Sequence, residues 1–210
     1  MTNTAMTTVL GAGTMGSGIA QCLADHGRRV TLCDLQPQAL ERARERIATS
    51  RMTLESAGLQ TQAQSLLGEG LLTMSGSLDD AVSTSDLIIE SISEDLHLKC
   101  DVFAQLDRLA SPRAAIVSNT SGLSITRLAE ATARPQQVAG FHWFNPAELV
   151  PLVEVTSGDH TDPSLVERLM TLARQLGKEP IHVRRDIPGF VGNRLQFAVF
   201  REALHLLNEG

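Results

Sequence analysis

A glycine-rich motif near the start of the sequence has the spacing of a phosphate-binding turn. Gly11, Gly13 and Gly16 form Gly-x-Gly-x-x-Gly directly after a short apolar and β-branched run, and a helical pattern follows. In this context the first glycine permits a tight turn, the second lets the backbone approach a pyrophosphate, and the third lets the helix pack close to the strand. The helix that begins at Thr14 and Met15 would offer free N–H groups to the phosphates. The motif therefore predicts a dinucleotide site.

An acidic residue, Asp34, closes the next apolar run and indicates which dinucleotide to expect. A carboxylate at this position would accept hydrogen bonds from both ribose hydroxyls and would repel a 2′-phosphate. Arg28 and Arg29 precede that run rather than follow Asp34, so they are poorly placed to bind such a phosphate. The sequence thus predicts NAD in preference to NADP.

A histidine and a glutamate further along have the types needed for a general base. His142 follows an apolar run, at the edge where open α/β sheets bind ligands, and Glu154 lies inside another apolar run. A carboxylate in such a run is costly unless it has a partner, and a histidine paired with it becomes a base that works near neutral pH. The alternative is a histidine bound to the backbone and a glutamate at a strand edge, without a catalytic role.

Several other polar residues follow predicted strands. Asn119 and Ser121 belong to a Ser-Asn-Thr-Ser-Gly stretch that could hold a nicotinamide ribose or a substrate oxygen, or could only cap the next helix. Glu94 and Lys99 could be no more than a solvated helix start. Asn193 is a lone amide in an apolar segment, where it would cap the last helix or point at the site.

The elements that position these residues alternate between strand and helix. Strands are predicted over residues 7–10, 29–33, 71–74, 87–89, 115–117, 138–141, 149–155 and 181–183, and helices over 14–26, 37–56, 60–67, 96–109, 125–131 and 162–177. This rhythm predicts an α/β fold with a Rossmann-type, doubly wound and mostly parallel sheet, and with a helical excursion after the second strand.

The last segment, residues 188–208, is apolar on more than one helical face. A helix of this kind is expected to be buried. The sequence therefore predicts that a second copy of the chain covers it, in a homodimer, or that it folds back onto its own sheet.

Composition excludes several classes of protein. The net charge is −6 and the pI is near 5.5, which argues against nucleic acid and anionic membrane surfaces as partners. No run approaches about 20 apolar residues, so no membrane span is expected. Three cysteines without metal-ligand spacing predict reduced thiols in the cytoplasm and no metal site.

Taken together, the motifs resemble the L-3-hydroxyacyl-CoA dehydrogenase family over almost the whole chain. The stretches that carry the resemblance are residues 11–16, 91–94 with Lys99, 118–121, 142–146, 152–155 and 189–195. The resemblance implies NAD-dependent oxidation of a secondary alcohol beta to a carbonyl. It implies a division into an NAD-binding domain, residues 1–186, and the first helix of a truncated helical domain, residues 187–210, with correspondingly low turnover.

The family's functional residues can be transferred position by position. The resemblance implies that His142 is the catalytic base, that Glu154 is its partner, and that Ser121 and Asn193 contact the hydroxyl or carbonyl region of a small-molecule substrate. The positions implied to contact the cofactor are Gly11, Gly13, Thr14, Met15, Gly16, Asp34, Glu94, Lys99 and Asn119.

Three departures from the family leave the substrate open. Trp143 stands where the acyl-CoA enzymes usually carry Phe, and residues 147–151 look more like relatives that oxidise gulonate or carnitine. The helical excursion that grips CoA in acyl-CoA enzymes has no lysine here; its positive charge comes from Arg42, Arg44, Arg46 and Arg51. An acyl-CoA is the first expectation. The alternatives are a free 3-hydroxy acid and a dinucleotide-binding fragment without turnover.

Overall fold

The computed structural model of the protein describes residues 5–59, 64 and 70–210. Apart from residue 64, the helix predicted over residues 60–67 lies outside the described residues. The strands are β1 (Met6–Leu10), β2 (Arg29–Cys33), β3 (Leu72–Ser75), β4 (Leu87–Glu90), β5 (Ala115–Ser118), β6 (Val138–Trp143), β7 (Leu152–Thr156) and β8 (Glu179–Val183). The helices are α1 (Thr14–Asp25), α2 (Pro37–Ser56), α3 (Leu78–Val82), α4 (Leu96–Leu109), α5 (Ile125–Ala129), α6 (Pro163–Gln175) and α7 (Gly192–Glu209).

One sheet joins these strands in the order β3-β2-β1-β4-β5-β6-β7-β8. The pairs from β3 to β6 are parallel, β6 and β7 are antiparallel, and β7 and β8 are again parallel. The predicted doubly wound, mostly parallel sheet is therefore confirmed. The carboxyl ends of β1, β4, β5 and β6 lie side by side, and the glycine motif, Glu94 and Asn119 follow the first three of these ends.

The core has two layers because successive strand residues point to opposite faces of the sheet. Ile89 belongs to the cluster beneath α1, α2 and α6, whereas Ile88 belongs to the cluster beneath α4 and α5. Both side chains have no exposed surface. Continuous apolar runs such as that of β4 are therefore what a strand covered on both faces requires.

Local signals explain most of the helix boundaries. Pro37 stands in the first turn of α2, and Gly58 adopts a left-handed φ of +69° just after the helix ends at Ser56. The Asp95 side chain accepts a hydrogen bond from the backbone N–H of Leu98 and so caps α4.

The clearest differences from the sequence prediction lie in three elements. The short helix α3, capped by the Ser77 side chain, was not predicted. β6 continues to Trp143, so His142 lies within the strand rather than after it. β7 begins at Leu152 and not at residue 149, because Lys178 Nζ holds the preceding loop by donating to the carbonyl oxygens of Ala147 (2.7 Å) and Val150 (3.0 Å).

Helix α7 projects from the sheet without burying any of its residues. The expectation that this helix folds back onto its own sheet is therefore wrong. Phe190, which precedes the helix, is fully buried in the chain itself, whereas Leu195 and Val199 are 65% and 66% exposed. Among the described residues, no helix has both the length and the apolar character needed to cross a bilayer.

Candidate active site

The glycine motif forms a tight turn between β1 and α1. Gly11 has a left-handed φ of +102°, and a Cβ there would lie 2.5 Å from the carbonyl oxygen of Ser91. A Cβ on Gly16 would overlap the carbonyl oxygen of Gly11. Gly13 is different, since a Cβ there would meet no heavy atom within 4 Å. The first and third glycines are thus required by packing inside the protein, and the second leaves open space on its outer side.

The carboxylate of Asp34 is fixed at the edge of this turn. Its Oδ2 accepts a hydrogen bond from the Ala12 N–H at 2.8 Å, and its Oδ1 accepts one from the Gln36 N–H at 2.9 Å. Asp34 lines a cleft of about 580 Å³ together with Gly11, Gly13 and Thr14.

This cleft fits a dinucleotide. Gly13 is the N-cap of α1 and supplies no side chain to bond the first N–H groups of the helix, which leaves them for a ligand anion. The Asp34 carboxylate retains lone pairs for ribose hydroxyls. Met15, by contrast, packs partly buried against the core. Arg42, which sequence analysis did not connect with Asp34, lines the same cleft.

His142 and Glu154 form a buried pair. His142 Nδ1 lies 2.7 Å from Glu154 Oε2, and the two residues are 4% and 0% exposed. The antiparallel register of β6 and β7 places them directly opposite each other, so their side chains share one face of the sheet. The purely structural alternative, a histidine bound to the backbone, does not describe this contact.

The other oxygen of Glu154 binds the start of α7. Oε1 accepts hydrogen bonds from the backbone N–H groups of Val191 (2.9 Å) and Gly192 (2.8 Å). Burial raises the pKa of the Glu154 carboxyl, but the hydrogen bonds from His142, Gly192 and Val191 together lower it by more, so the pKa lies below its ordinary value. Glu154 is therefore held as a carboxylate beside the imidazole.

Ser121 and Asn193 lie against each other although they are far apart in sequence. Asn193 Nδ2 donates to the carbonyl oxygen of Ser121 at 2.9 Å, and the Ser121 N–H donates to Glu94 Oε1 at 2.8 Å. Glu94 also accepts from the Thr120 hydroxyl at 2.6 Å. The side chain that caps α5 is Ser124, so the alternative in which Ser121 only caps this helix does not hold.

Lys99 is not part of a solvated helix start. It is 1% exposed, and Nζ lies 2.5 Å from Oε1 of Glu90, which is itself fully buried. Nζ also donates to the Ile92 carbonyl at 3.3 Å and lies 3.5 Å from Glu94 Oε2. No role was predicted for Glu90, although an acidic residue that closes an apolar strand is a signal that such a cation lies nearby.

Asn119 joins the ends of three strands. Its Oδ1 accepts from the backbone N–H of Trp143 at 2.8 Å, and its Nδ2 donates to Ser91 Oγ at 3.2 Å. Asn119 is 8% exposed. Its amide therefore fixes the end of the histidine-bearing strand relative to Ser91, the residue that follows β4.

Two aromatic residues that sequence analysis did not assign to the site enclose the imidazole. The ring of Phe144 lies 4.5 Å from that of His142, and the ring of Phe190 lies 5.8 Å from it, measured between centroids. Phe144 lies in the turn after β6 and Phe190 in the turn before α7. The sequence pattern does not show that these two turns meet at the imidazole.

Comparison with known proteins defines the class. The family model described as 3-hydroxyacyl-CoA dehydrogenase, NAD binding domain, matches residues 6–187. The chain therefore belongs to this family of NAD-dependent oxidoreductases, and NAD is its cofactor.

Individual relatives differ in what they act on. A 5-formyl-3-hydroxy-2-methylpyridine 4-carboxylate 5-dehydrogenase from Mesorhizobium japonicum is 37% identical over 96% of this chain and 64% of its own length. An L-carnitine dehydrogenase from a Pseudomonas species is 40% identical over 96% of this chain and 61% of its own length. The solved structure of (S)-3-hydroxybutyryl-CoA dehydrogenase PaaH1 from Ralstonia eutropha aligns with a TM-score of 0.92 and 36% identity, covering 98% of this chain and 72% of that one. The chain thus spans less than two thirds of the length of the first two relatives.

Proposed function

We propose that this protein catalyses NAD-dependent oxidation of a 3-hydroxyacyl-CoA to the 3-oxoacyl-CoA, or the reverse reaction. The observation that carries the proposal is the buried His142–Glu154 pair, with its 2.7 Å hydrogen bond, next to the Ser121–Asn193 contact. The similarity to a 3-hydroxybutyryl-CoA dehydrogenase supports the substrate class.

In this proposal each side chain has a part in the reaction. Glu154 engages Nδ1 of His142, which leaves Nε2 to take the proton from the substrate hydroxyl. The Glu154 carboxylate fixes the tautomer and stabilises the imidazolium that forms. The Ser121 hydroxyl and the Asn193 amide would bind the substrate oxygen. NAD, when bound, accepts the hydride.

The residues assigned to the cofactor fall into two groups: those that would contact NAD and those that would position the strands around it. Gly11, Gly13 and Thr14 line the cleft, and with the Asp34 carboxylate they would hold the pyrophosphate and the ribose. Lys99 and Asn119 are almost fully buried, so in this proposal they act by fixing the ends of the strands around the nicotinamide.

A free 3-hydroxy acid is the second candidate, and the arginines of α2 favour it. Arg51 is 6% exposed and is bound to Asp25 at 2.6 Å, so it is not available to a CoA phosphate. Arg46 donates to the Ser17 hydroxyl at 2.9 Å. Arg42 and Arg44 are exposed, but residues 52–72, which follow them in the excursion, carry no Lys or Arg to bind a phosphate. The L-carnitine dehydrogenase relative supports the same candidate.

Trp143 does not distinguish the two candidates. It is 1% exposed and packs edge-on against Phe141, with ring centroids 5.4 Å apart. Because strand residues alternate between faces, Trp143 points into the core while His142 points at the site.

A steady-state comparison tests the proposal. Acetoacetyl-CoA with NADH is measured against L-carnitine with NAD, and the His142→Gln variant provides the blank. The proposal requires turnover of acetoacetyl-CoA that falls by roughly 10²–10⁴ in the variant. Turnover of carnitine alone would select the second candidate, and NAD binding without turnover of either compound would select a binding role.

The remaining assignments also belong to this proposal. They are the two-part division into residues 1–186 and 187–210, a homodimer, and a cytoplasmic location. All three cysteines are free thiols, which supports a reducing compartment.

A further inference from the structure

The carboxylate of Glu154 is shared by two parts of the molecule. Oε2 binds His142 on β6, while Oε1 accepts the N–H groups of Val191 and Gly192 at the start of α7. Glu154 has no exposed surface, so water does not compete for these hydrogen bonds. The start of α7 therefore acts on the same carboxylate that orients the base.

An unusual backbone turn creates the two donors. Phe190 has φ = +48°, in the left-handed region, and Val191 follows in the right-handed region with φ = −107° and ψ = −53°. Successive residues of opposite hand bring neighbouring N–H groups together into an anion-binding concavity. A left-handed conformation is rare for a bulky residue, and here the buried Phe190 ring holds it in place against His142.

The same turn also contacts Phe144 and the serine loop, residues 118–122, which carries Ser121. Gly192 approaches so closely that a Cβ there would lie 2.7 Å from Cζ of Phe144 and 3.6 Å from Oε1 of Glu154. One residue later, Asn193 Nδ2 donates to the carbonyl oxygen of Ser121. Residues 190–193 thus contact the base, its carboxylate partner and the serine loop.

We propose that residues 190–193 are a positioning element that tunes the His142–Glu154 base through two backbone N–H groups and at the same time places Ser121. The role of this element in catalysis rests on the proposed function. Its link between the His142–Glu154 pair and Ser121 is a property of the folded chain alone. Displacement of the start of α7 then changes the base and the serine loop together.

The direction of the effect follows from electrostatics. The two N–H dipoles place partial positive charge beside the pair, and partial positive charge favours loss of protons. The titratable group that faces Glu154 from β6 is His142. On β8, the residue paired with Glu154 is the apolar Ile181. Arg194, in the first turn of α7, is exposed. Removal of one N–H group therefore makes the pair keep its proton to higher pH.

An amide-to-ester exchange removes one donor and leaves the side chain in place. Cell-free translation can introduce 2-hydroxyisovaleric acid at Val191, which replaces the N–H that binds Glu154 by an oxygen. The matched control is 2-hydroxyisocaproic acid at Leu195, which removes the N–H that donates to the Val191 carbonyl at 3.0 Å. Gly192→Ala is a second variant that keeps the N–H but pushes the turn away from Phe144.

Two readouts separate this inference from the proposed function. The first is the pH midpoint of the imidazole NMR signals that are missing in His142→Gln, and the second is the acidic limb of kcat/KM for oxidation of 3-hydroxybutyryl-CoA. We expect the Val191 ester to move both upward by roughly half to one pH unit, less than the full effect of one hydrogen bond to a charged group because the lost donor acts on the imidazole only through Glu154, and Gly192→Ala to move them in the same direction.

The outcomes are distinct. An unchanged NMR midpoint in both variants, or an equal change in the Leu195 ester, overturns the inference. A shifted midpoint in a protein that does not turn over the acyl-CoA supports the inference and refutes the proposed function.

Discussion

At the scale of single residues, Asp34 has the most sharply testable assignment. Its carboxylate is oriented by the N–H groups of Ala12 and Gln36, with lone pairs left for two ribose hydroxyls. We expect Asp34→Ala to weaken NAD binding by about 1–3 kcal/mol, the cost of losing hydrogen bonds to a charged group, as measured by calorimetry. Because Arg42 lines the same cleft, the variant should also discriminate less against NADP.

Glu41→Ala is the control for Asp34→Ala, since Glu41 is an exposed carboxylate on α2. The control should bind NAD as the unmodified protein does. Tighter binding of NADP than of NAD by the unmodified protein would show that Asp34 does not have the assigned role.

His142 carries the second prediction at this scale. Its Nδ1 is engaged by Glu154, and the proposed proton transfer uses the other ring nitrogen. We expect His142→Gln to lower kcat by roughly 10²–10⁴ with little change in NAD affinity, because general base catalysis contributes about that factor. The matched control is His182→Gln on β8, where ring Nε2 lies 2.8 Å from Ser157 Oγ. A rate loss in the control as large as that in His142→Gln would contradict the assignment.

The residue types indicated the His142–Glu154 pair but not the groups that surround it. A histidine and a glutamate in apolar runs made their contact one of two interpretations, because each needed a partner, and the family resemblance favoured it. The two N–H groups that complete Glu154 were not predictable, since they depend on a left-handed Phe190, a conformation that sequence favours for glycine and asparagine. Glu90 was missed because the partner of Lys99 is set by the side-by-side packing of β4 and α4.

At the scale of elements, the β6–β7 hairpin decides the geometry of the site. The sequence indicated both strands but not their relative direction, and a parallel sheet was the general expectation. Antiparallel pairing places His142 opposite Glu154, whereas a shift of one residue would turn one of the side chains to the other face. Loop 147–150, held by Lys178, therefore determines the register on which the base depends.

The hydrogen bonds between Glu154 on β7 and the start of α7 lead to a prediction about the pH dependence of stability. Because the folded pKa of Glu154 is lowered, its contribution to the free energy of unfolding is fully present above the unfolded value of about 4.3 and is lost as the pH falls through the lower folded value. We expect Glu154→Gln to cost on the order of 1–3 kcal/mol at pH 7 and less at pH 3 in urea unfolding. The control Glu41→Gln should follow the unmodified protein, and a cost in Glu154→Gln that is equal at both pH values would rule out the linkage.

At the scale of the whole molecule, the doubly wound sheet was predictable because alternation of strand and helix leaves few topologies open. The placement of α7 was not predictable in the same way. An apolar helix requires a cover, but the sequence does not state which surface provides it. In the structure seven large apolar residues of α7 are half or more exposed: Leu195, Phe197, Val199, Phe200, Leu204, Leu206 and Leu207.

A second copy of the chain fits this helix in charge as well as in apolar character. Arg194 lies near the start of α7 and Glu209 at its end, so an antiparallel, two-fold pairing sets the basic start of one helix beside the acidic end of the other. A continuous exposed apolar patch on a helix is typical of an interface. Phe190 does not take part, because it is already buried within its own chain.

Light scattering across the micromolar range tests this pairing, and we expect a dimer. Replacement of two apolar residues by charge, Leu204→Glu with Leu207→Glu, should shift the protein to monomer, because both side chains would be buried at a two-fold contact and an unpaired buried charge is strongly unfavourable. Met52→Glu is the control: Met52 is 71% exposed and belongs to α2 rather than α7, so the variant should remain dimeric. A monomer of the unmodified chain at every concentration would refute the pairing, and a dimer that survives the double substitution would place the contact on another surface.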